Sequence, residues 1–154
     1  MMKRRKLSEQ VEEKLAKEPE EKSQYDGKDL TVSTGSTLLD LAISGGRFRE
    51  GGIPLGILVE IFGPSGAGKT VLLSQLAANL QRLGGKVMFH DPEARLNKQF
   101  ARIFGLDTGE IEYTIPNTVP EVFQSVRDWV SQEEAEKGTI YGVFADSLAA
   151  LSTD

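Results

Sequence analysis

The sequence contains no cysteine and a single histidine, His90. Without thiols it has no disulfide framework and no thiolate metal site, and one imidazole cannot build a histidine-rich metal centre. Thiol redox chemistry is excluded with them. Long apolar runs are also missing: none approaches the 18 or more residues of a membrane-spanning helix. The opening Met1-Met2-Lys3-Arg4-Arg5-Lys6-Leu7-Ser8-Glu9 lacks the apolar stretch of a secretory signal. A cytoplasmic protein that does not engage a membrane is expected. Excess positive charge is the third absence. The formal net charge is −5, so the chain does not carry the basic footprint of a dedicated nucleic-acid-binding domain, and any DNA contact has to be local.

What is present is ordinary for a soluble domain. The 154 residues are 39% hydrophobic and 27% charged, enough to bury a core and consistent with one folded unit. Residues 1 to 30 hold eight Lys or Arg and eight Asp or Glu, a charge-dense but balanced segment. Its apolar residues Leu7, Val11 and Leu15 form too narrow a stripe for a core helix, so residues 1–31 are expected to be an arm or a frayed helix. Thr34-Gly35-Ser36 opens a short helix through Leu38, Leu39, Leu41 and Ile43 that Gly45-Gly46 closes. Gly45 to Pro54 is expected to be a mobile loop.

Ile57-Leu58-Val59-Glu60-Ile61-Phe62 is a compact apolar run that predicts a buried strand, with Glu60 as a paired structural acid inside it. A helix follows from about Gly68 until Gly84-Gly85. Lys86 to His90 predicts a second strand, and Leu96, Phe100, Ile103 and Phe104 share one helical face. Ile111 to Ile115 predicts a third strand. Thr118-Val119-Pro120-Glu121 has the spacing of a capping box and starts a helix whose inner face carries Val122, Val126, Trp129 and Val130, with Gly138 as its stop. Ile140 to Ala145 predicts a fourth strand. Strands alternating with helices indicate βαβ units and a mainly parallel α/β sheet. His90 and Trp129 are expected to pack rather than to act.

Gly63-Pro64-Ser65-Gly66-Ala67-Gly68-Lys69-Thr70 fits G-x-x-x-x-G-K-[ST] in full. Glycines let the backbone wrap around phosphate oxygens with successive N–H groups turned inward, and the following helix adds its positive end. In such a loop Lys69 reaches the β- and γ-phosphates and the Thr70 hydroxyl ligates Mg²⁺. The ligand expected is therefore ATP, or a close relative, with Mg²⁺. Asp146 ends an apolar strand at the edge where ligands bind in open α/β folds, and is the second expected Mg²⁺ ligand. Glu93 follows the second strand through Asp91-Pro92 and is placed to accept a proton from the water that attacks the γ-phosphate.

These motifs, with Thr34-Gly35, Leu39-Asp40, Phe89-His90-Asp91-Pro92-Glu93, Ala101-Arg102 with Gly105, and Asp146-Ser147-Leu148-Ala149-Ala150-Leu151, resemble the bacterial RecA-type recombinases over residues 32–154. The resemblance implies a P-loop NTPase fold of RecA type, a mainly parallel sheet with flanking helices. Glu93 takes the position of the family's catalytic glutamate, with Lys69 beside it, and Asp146 that of the Walker B aspartate. Phe100 stands where the family has a tyrosine that stacks on adenine, and Asn97 where it has an aspartate near the base. The function implied is a DNA-dependent ATPase of homologous recombination and repair; the alternative is a non-catalytic ATP-binding regulator. The family's single-stranded DNA contacts would come from regions beyond residue 154, and a homo-oligomer or filament is implied. In the family the strand after the Walker B strand inserts between it and the phosphate-loop strand, so the chain is expected to be truncated after the Walker B strand, as a fragment or a shortened product.

Overall fold

Val87, Met88, Phe89 and His90 are all essentially buried, and unbroken burial of successive residues marks a strand covered on both faces. In the computed structural model, which describes residues 30–46, 51–132 and 139–153, this strand is the centre of the molecule. In chain order the elements are β1 (Thr31–Val32), α1 (Thr37–Ile43), β2 (Ile53–Pro54), α2 (Lys69–Arg82), β3 (Lys86–His90), α3 (Lys98–Ile103), β4 (Ile111–Thr114), α4 (Val119–Gln132) and β5 (Tyr141–Ala145), followed by a 3₁₀ turn at Leu148–Ala150. Strands β4, β3 and β5 form a parallel sheet in that order. Val87 pairs with Ile111 and with Gly142, and His90 with Thr114 and with Ala145. The expected βαβ units are present.

Helix α2 covers one face of this sheet through Leu76, Ala77, Ala78 and Leu80, all buried. Burying each leucine contributes about 1.5–3 kcal/mol. The approach is close at Gly142, where an added Cβ would lie 2.3 Å from Leu80 Cδ2, so that a side chain there would have to push Leu80 aside. Side chains alternate along β5, and on the other face Trp129 of α4 meets Tyr141 edge-on, with ring centroids 5.4 Å apart. His90 is buried and Trp129 packs, as expected of both.

The helix starts follow local chemistry. Ser36 caps α1, its hydroxyl accepting from Leu39 N. At α4 the capping box closes in both directions: Glu121 N donates to Thr118 Oγ1, and Asn117 N and Thr118 N donate to Glu121 Oε2. The Asp40 carboxylate ties α1 to the segment before it, accepting from Ser33 Oγ at 2.5 Å, Thr34 N at 2.7 Å and Thr34 Oγ1 at 2.6 Å. Burial pushes the Asp40 pKa up, but the Ser33 and Thr34 hydrogen bonds outweigh it and hold the group below its ordinary value. Asn79 Nδ2 donates to Ser33 O at 2.7 Å and docks this segment on α2.

Four expectations are corrected. Ile57–Phe62 forms no strand: it has no ladder among the described residues, Leu58 is 100% exposed and Phe62 86%. The apolar run encodes burial on both faces, but burial needs neighbouring strands, and among the described residues β5 is paired only on its β3 side. Glu60 is accordingly exposed with its segment, not paired inside a sheet. The end of the expected loop is ordered, because Ile53–Pro54 pairs antiparallel with β1. Proline is tolerated in such a two-stranded edge pairing, where a missing N–H donor does little harm. Finally, the helical face read over Leu96, Phe100, Ile103 and Phe104 is shorter than expected, and Ile103 is 75% exposed and Phe100 45%. Asn97 starts the helix, so Leu96 precedes it, and the six-residue helix fills the core through Ala101 instead. The arm before residue 30, residues 47–50 and the expected stop at Gly138 lie outside the described residues; Thr31, read as the arm's end, belongs to β1.

Candidate functional site

Residues 63–70 connect the exposed segment to α2 and are bent by glycine. Gly66 and Gly68 have φ of +77° and +90°, a region that side chains disfavour. Gly68 is the N-cap residue of α2 and offers no side chain to the helix, so the first-turn N–H groups remain directed outward from the helix end. Ala67 N donates to Pro64 O at 3.3 Å and closes the turn containing Ser65 and Gly66. Lys69 folds over the loop: its Nζ donates to Gly63 O and to Pro64 O, each at 2.9 Å. A cation is thereby held on two backbone carbonyls, with residues 63–68 open to solvent.

Thr70, one residue into the same helix, donates its hydroxyl to Asp146 Oδ2. The contact spans 76 residues of sequence and is made possible by the sheet. Asp146 N donates to His90 O at 2.9 Å, which levels the carboxyl ends of β3 and β5 and sets Asp146 beside the start of α2. Thr70 and Asp146 are thus brought together, with Lys69 the residue before Thr70 on α2.

Glu93 sits on a tightly built loop after β3. Asp91, 1% exposed, is its scaffold: Oδ1 accepts from Arg95 N at 3.1 Å, and Oδ2 from Leu96 N at 2.7 Å and Tyr113 Oη at 2.8 Å. Asp91 N donates to Thr114 O, and Ala94 N to Asp91 O at 3.0 Å. Burial, then the hydrogen bond to Asp91 and its charge, push the Tyr113 phenol up to about 12. Lys98 Nζ lies 5.1 Å from the Tyr113 ring centroid. Next door, His90 Nδ1 lies 2.5 Å from Thr114 Oγ1 while Nε2 has no partner among the described residues; burial lowers the His90 pKa and keeps it neutral. Glu93 itself pairs with Arg95, Oε1 to Nη2 at 2.9 Å. Among the described residues no hydrogen bond joins Glu93 to residues 63–70.

Phe100 leans edge-on against Phe104, centroids 4.9 Å apart and planes at 76°, leaving nearly half of it exposed. The Asn97 side chain is engaged locally, where its Oδ1 accepts from Phe100 N at 3.0 Å and caps α3. Sequence reasoning missed Asp91 as the scaffold of the Glu93 loop, although Asp followed by Pro, with free amides four and five residues on, is the pattern of an aspartate that folds a loop onto itself.

A family model for the RecA N-terminal domain matches residues 8–154. The chain belongs to the RecA family. It is 35% identical over 124 residues, 80% of its length, to Protein RecA of Rubrobacter xylanophilus. The match covers 33% of that protein, so the chain spans about a third of the length of this RecA relative. Family membership accords with the mixed α/β architecture and its parallel three-stranded sheet. Among the described residues of this RecA-family chain, no helix is long and apolar enough to cross a membrane.

Proposed function

We propose that this RecA-family chain binds ATP with Mg²⁺ and supplies the N-terminal part of the ATPase core of a DNA recombination and repair protein. The observation that carries the reading is the contact of Thr70 with Asp146 at the mouth of a glycine-bent loop capped by Lys69. Gly63, Pro64, Ser65, Gly66, Ala67 and Gly68 contribute the backbone cradle, Lys69 the charge that meets the terminal phosphates, and Thr70 and Asp146 the oxygen ligands of the ion. The donor set fits this ion. Mg²⁺ is held by one or two protein oxygens, with phosphates and water completing its octahedron, and among the described residues there is no larger acidic or histidine cluster that would point to another metal.

Mg²⁺ would neutralise charge on the phosphates and polarise them toward attack. Glu93 accepts the proton of the attacking water, carried on a loop that Asp91 holds rigid. Phe100 offers its exposed face to the adenine base. Single-stranded DNA and further copies of the protein, in an oligomer or filament, are the partners proposed, with DNA contacts, in a full-length protein, from regions beyond residue 154, and a cytoplasmic location.

Titration calorimetry with Mg·ATP tests the assignment. Lys69→Ala should abolish binding or weaken it severely, because the loop loses its mobile positive charge; unchanged affinity would remove the loop from the site.

A further inference from the structure

We propose that Arg95 is a positioning residue that latches Glu93 in a resting rotamer, so that the pair has to open before Glu93 can take a proton from water. This rests on the reading of Glu93 as the proton acceptor. The backbone on which both side chains stand is fixed. Ala94, between them, has φ of +51°, a left-handed conformation that a non-glycine residue adopts at a cost. Its N–H is bonded to Asp91 O, and the next two amides, of Arg95 and Leu96, are bonded to the Asp91 carboxylate. The turn brings the side chains of residues 93 and 95, which on a regular strand would also share a face but stand farther apart, into a 2.9 Å ion pair. The scaffold is buried while the pair is not: the Arg95 side chain is 72% exposed and that of Glu93 31%.

An ion pair in that setting is weak and screened by salt. It therefore biases the Glu93 rotamer without locking it. A carboxylate whose oxygen is engaged by a guanidinium is also a poorer acceptor for a water proton, since the same lone pairs are in use. Opening the latch frees Glu93 and leaves the nucleotide contacts of Lys69, Thr70 and Asp146 untouched. The signature is a change in kcat with KM constant.

The test is steady-state Mg·ATP hydrolysis by the wild type, Arg95→Ala and Arg95→Lys, at low and at about 1 M salt, where the screening length falls to about 3 Å. Arg95→Ala should raise kcat roughly two- to fivefold at low salt, the range of a half-exposed pair, and leave KM unchanged. Arg95→Lys should restore the wild-type rate, and high salt should bring the wild type up to Arg95→Ala. An unchanged or lower kcat in Arg95→Ala overturns the latch. If the wild type shows no turnover, or Glu93→Gln turns over like the wild type, the reading of Glu93 as proton acceptor fails. The pair is then decided by carbon-13 NMR of the glutamate carboxylates: a Glu93 δ-carbon resonance unmoved by Arg95→Ala overturns it as well.

Discussion

The Thr70 hydroxyl donates to the Asp146 carboxylate, which joins the first turn of α2 to the end of β5. The two residues come from separate sequence motifs and meet because Gly142 lets α2 settle onto the sheet and because Asp146 N is bonded to His90 O. If this pair receives the ion, Asp146→Asn should keep the hydrogen bond from Thr70 and lose the charge. The fold, followed by circular dichroism, should be intact, while the Mg²⁺ dependence of nucleotide binding should move to about 10- to 100-fold higher concentration, the size of one charge-assisted contact. A magnesium titration at fixed nucleotide measures it; an unshifted midpoint would leave Asp146 as a strand-end partner of Thr70 and nothing more.

Glu93→Gln separates binding from chemistry. The amide preserves the size of the side chain and cannot accept a proton, so nucleotide affinity should stay near that of the wild type while single-turnover hydrolysis slows by at least ~10²-fold. A rate close to wild type would return Glu93 to the role of a loop acid.

The Asp91–Tyr113 bond gives an alkaline signature. A tyrosine in the unfolded chain titrates near pH 10, and in the fold burial and Asp91 push Tyr113 up to about 12. The neutral phenol is thus favoured by folding. Its contribution is fully present below about pH 10 and is lost as the pH rises toward about 12. Tyr113→Phe should be less stable at neutral pH by about 1–2 kcal/mol, because a buried carboxylate oxygen loses a donor. Above about pH 10 the variant should lose stability less steeply than the wild type. Urea midpoints across the alkaline range test both, and parallel curves would count against the bond.

How far the sequence could be read depended on whether each signal was local. The capping box at Thr118–Glu121, the helix opening after Thr34-Gly35-Ser36 and the strand Lys86–His90 were legible because a few neighbouring residues determine them. The bends of the loop at residues 63–68 were legible for the same reason: glycine positions encode backbone angles directly, and Gly66 and Gly68 adopt them. Asp146 was legible as the end of an apolar strand, but its partner Thr70 followed only from the motif, not from any short-range pattern. Asp91 was missed although two of its partners, Arg95 N and Leu96 N, are local; only Tyr113, 22 residues away on β4, lay beyond short-range reading. Leu96 misled, since periodicity extends an apolar face without saying where its helix starts. Ile57–Phe62 shows the same limit, because hydrophobicity records a demand for neighbours and supplies none.

That segment provides the sharpest physical test of the architecture. The amides of β3 are in ladders with β4 on one side and β5 on the other, and Val87, Met88 and Phe89 are buried. Their exchange with solvent requires the sheet to open, which costs an appreciable fraction of the global stability. Ile57–Phe62 carries no ladder among the described residues, and its side chains stand largely in water. Unpaired, exposed amides open at almost no cost, so hydrogen exchange on the 154-residue chain should show β3 protected at least ~10²-fold more than residues 57–62, a difference of about 3 kcal/mol or more. The edge strand β4 should fall between them. Equal protection of Ile57–Phe62 and β3 would require a strand partner for that segment, and the three-stranded order β4-β3-β5 would then be an incomplete description of the sheet in solution.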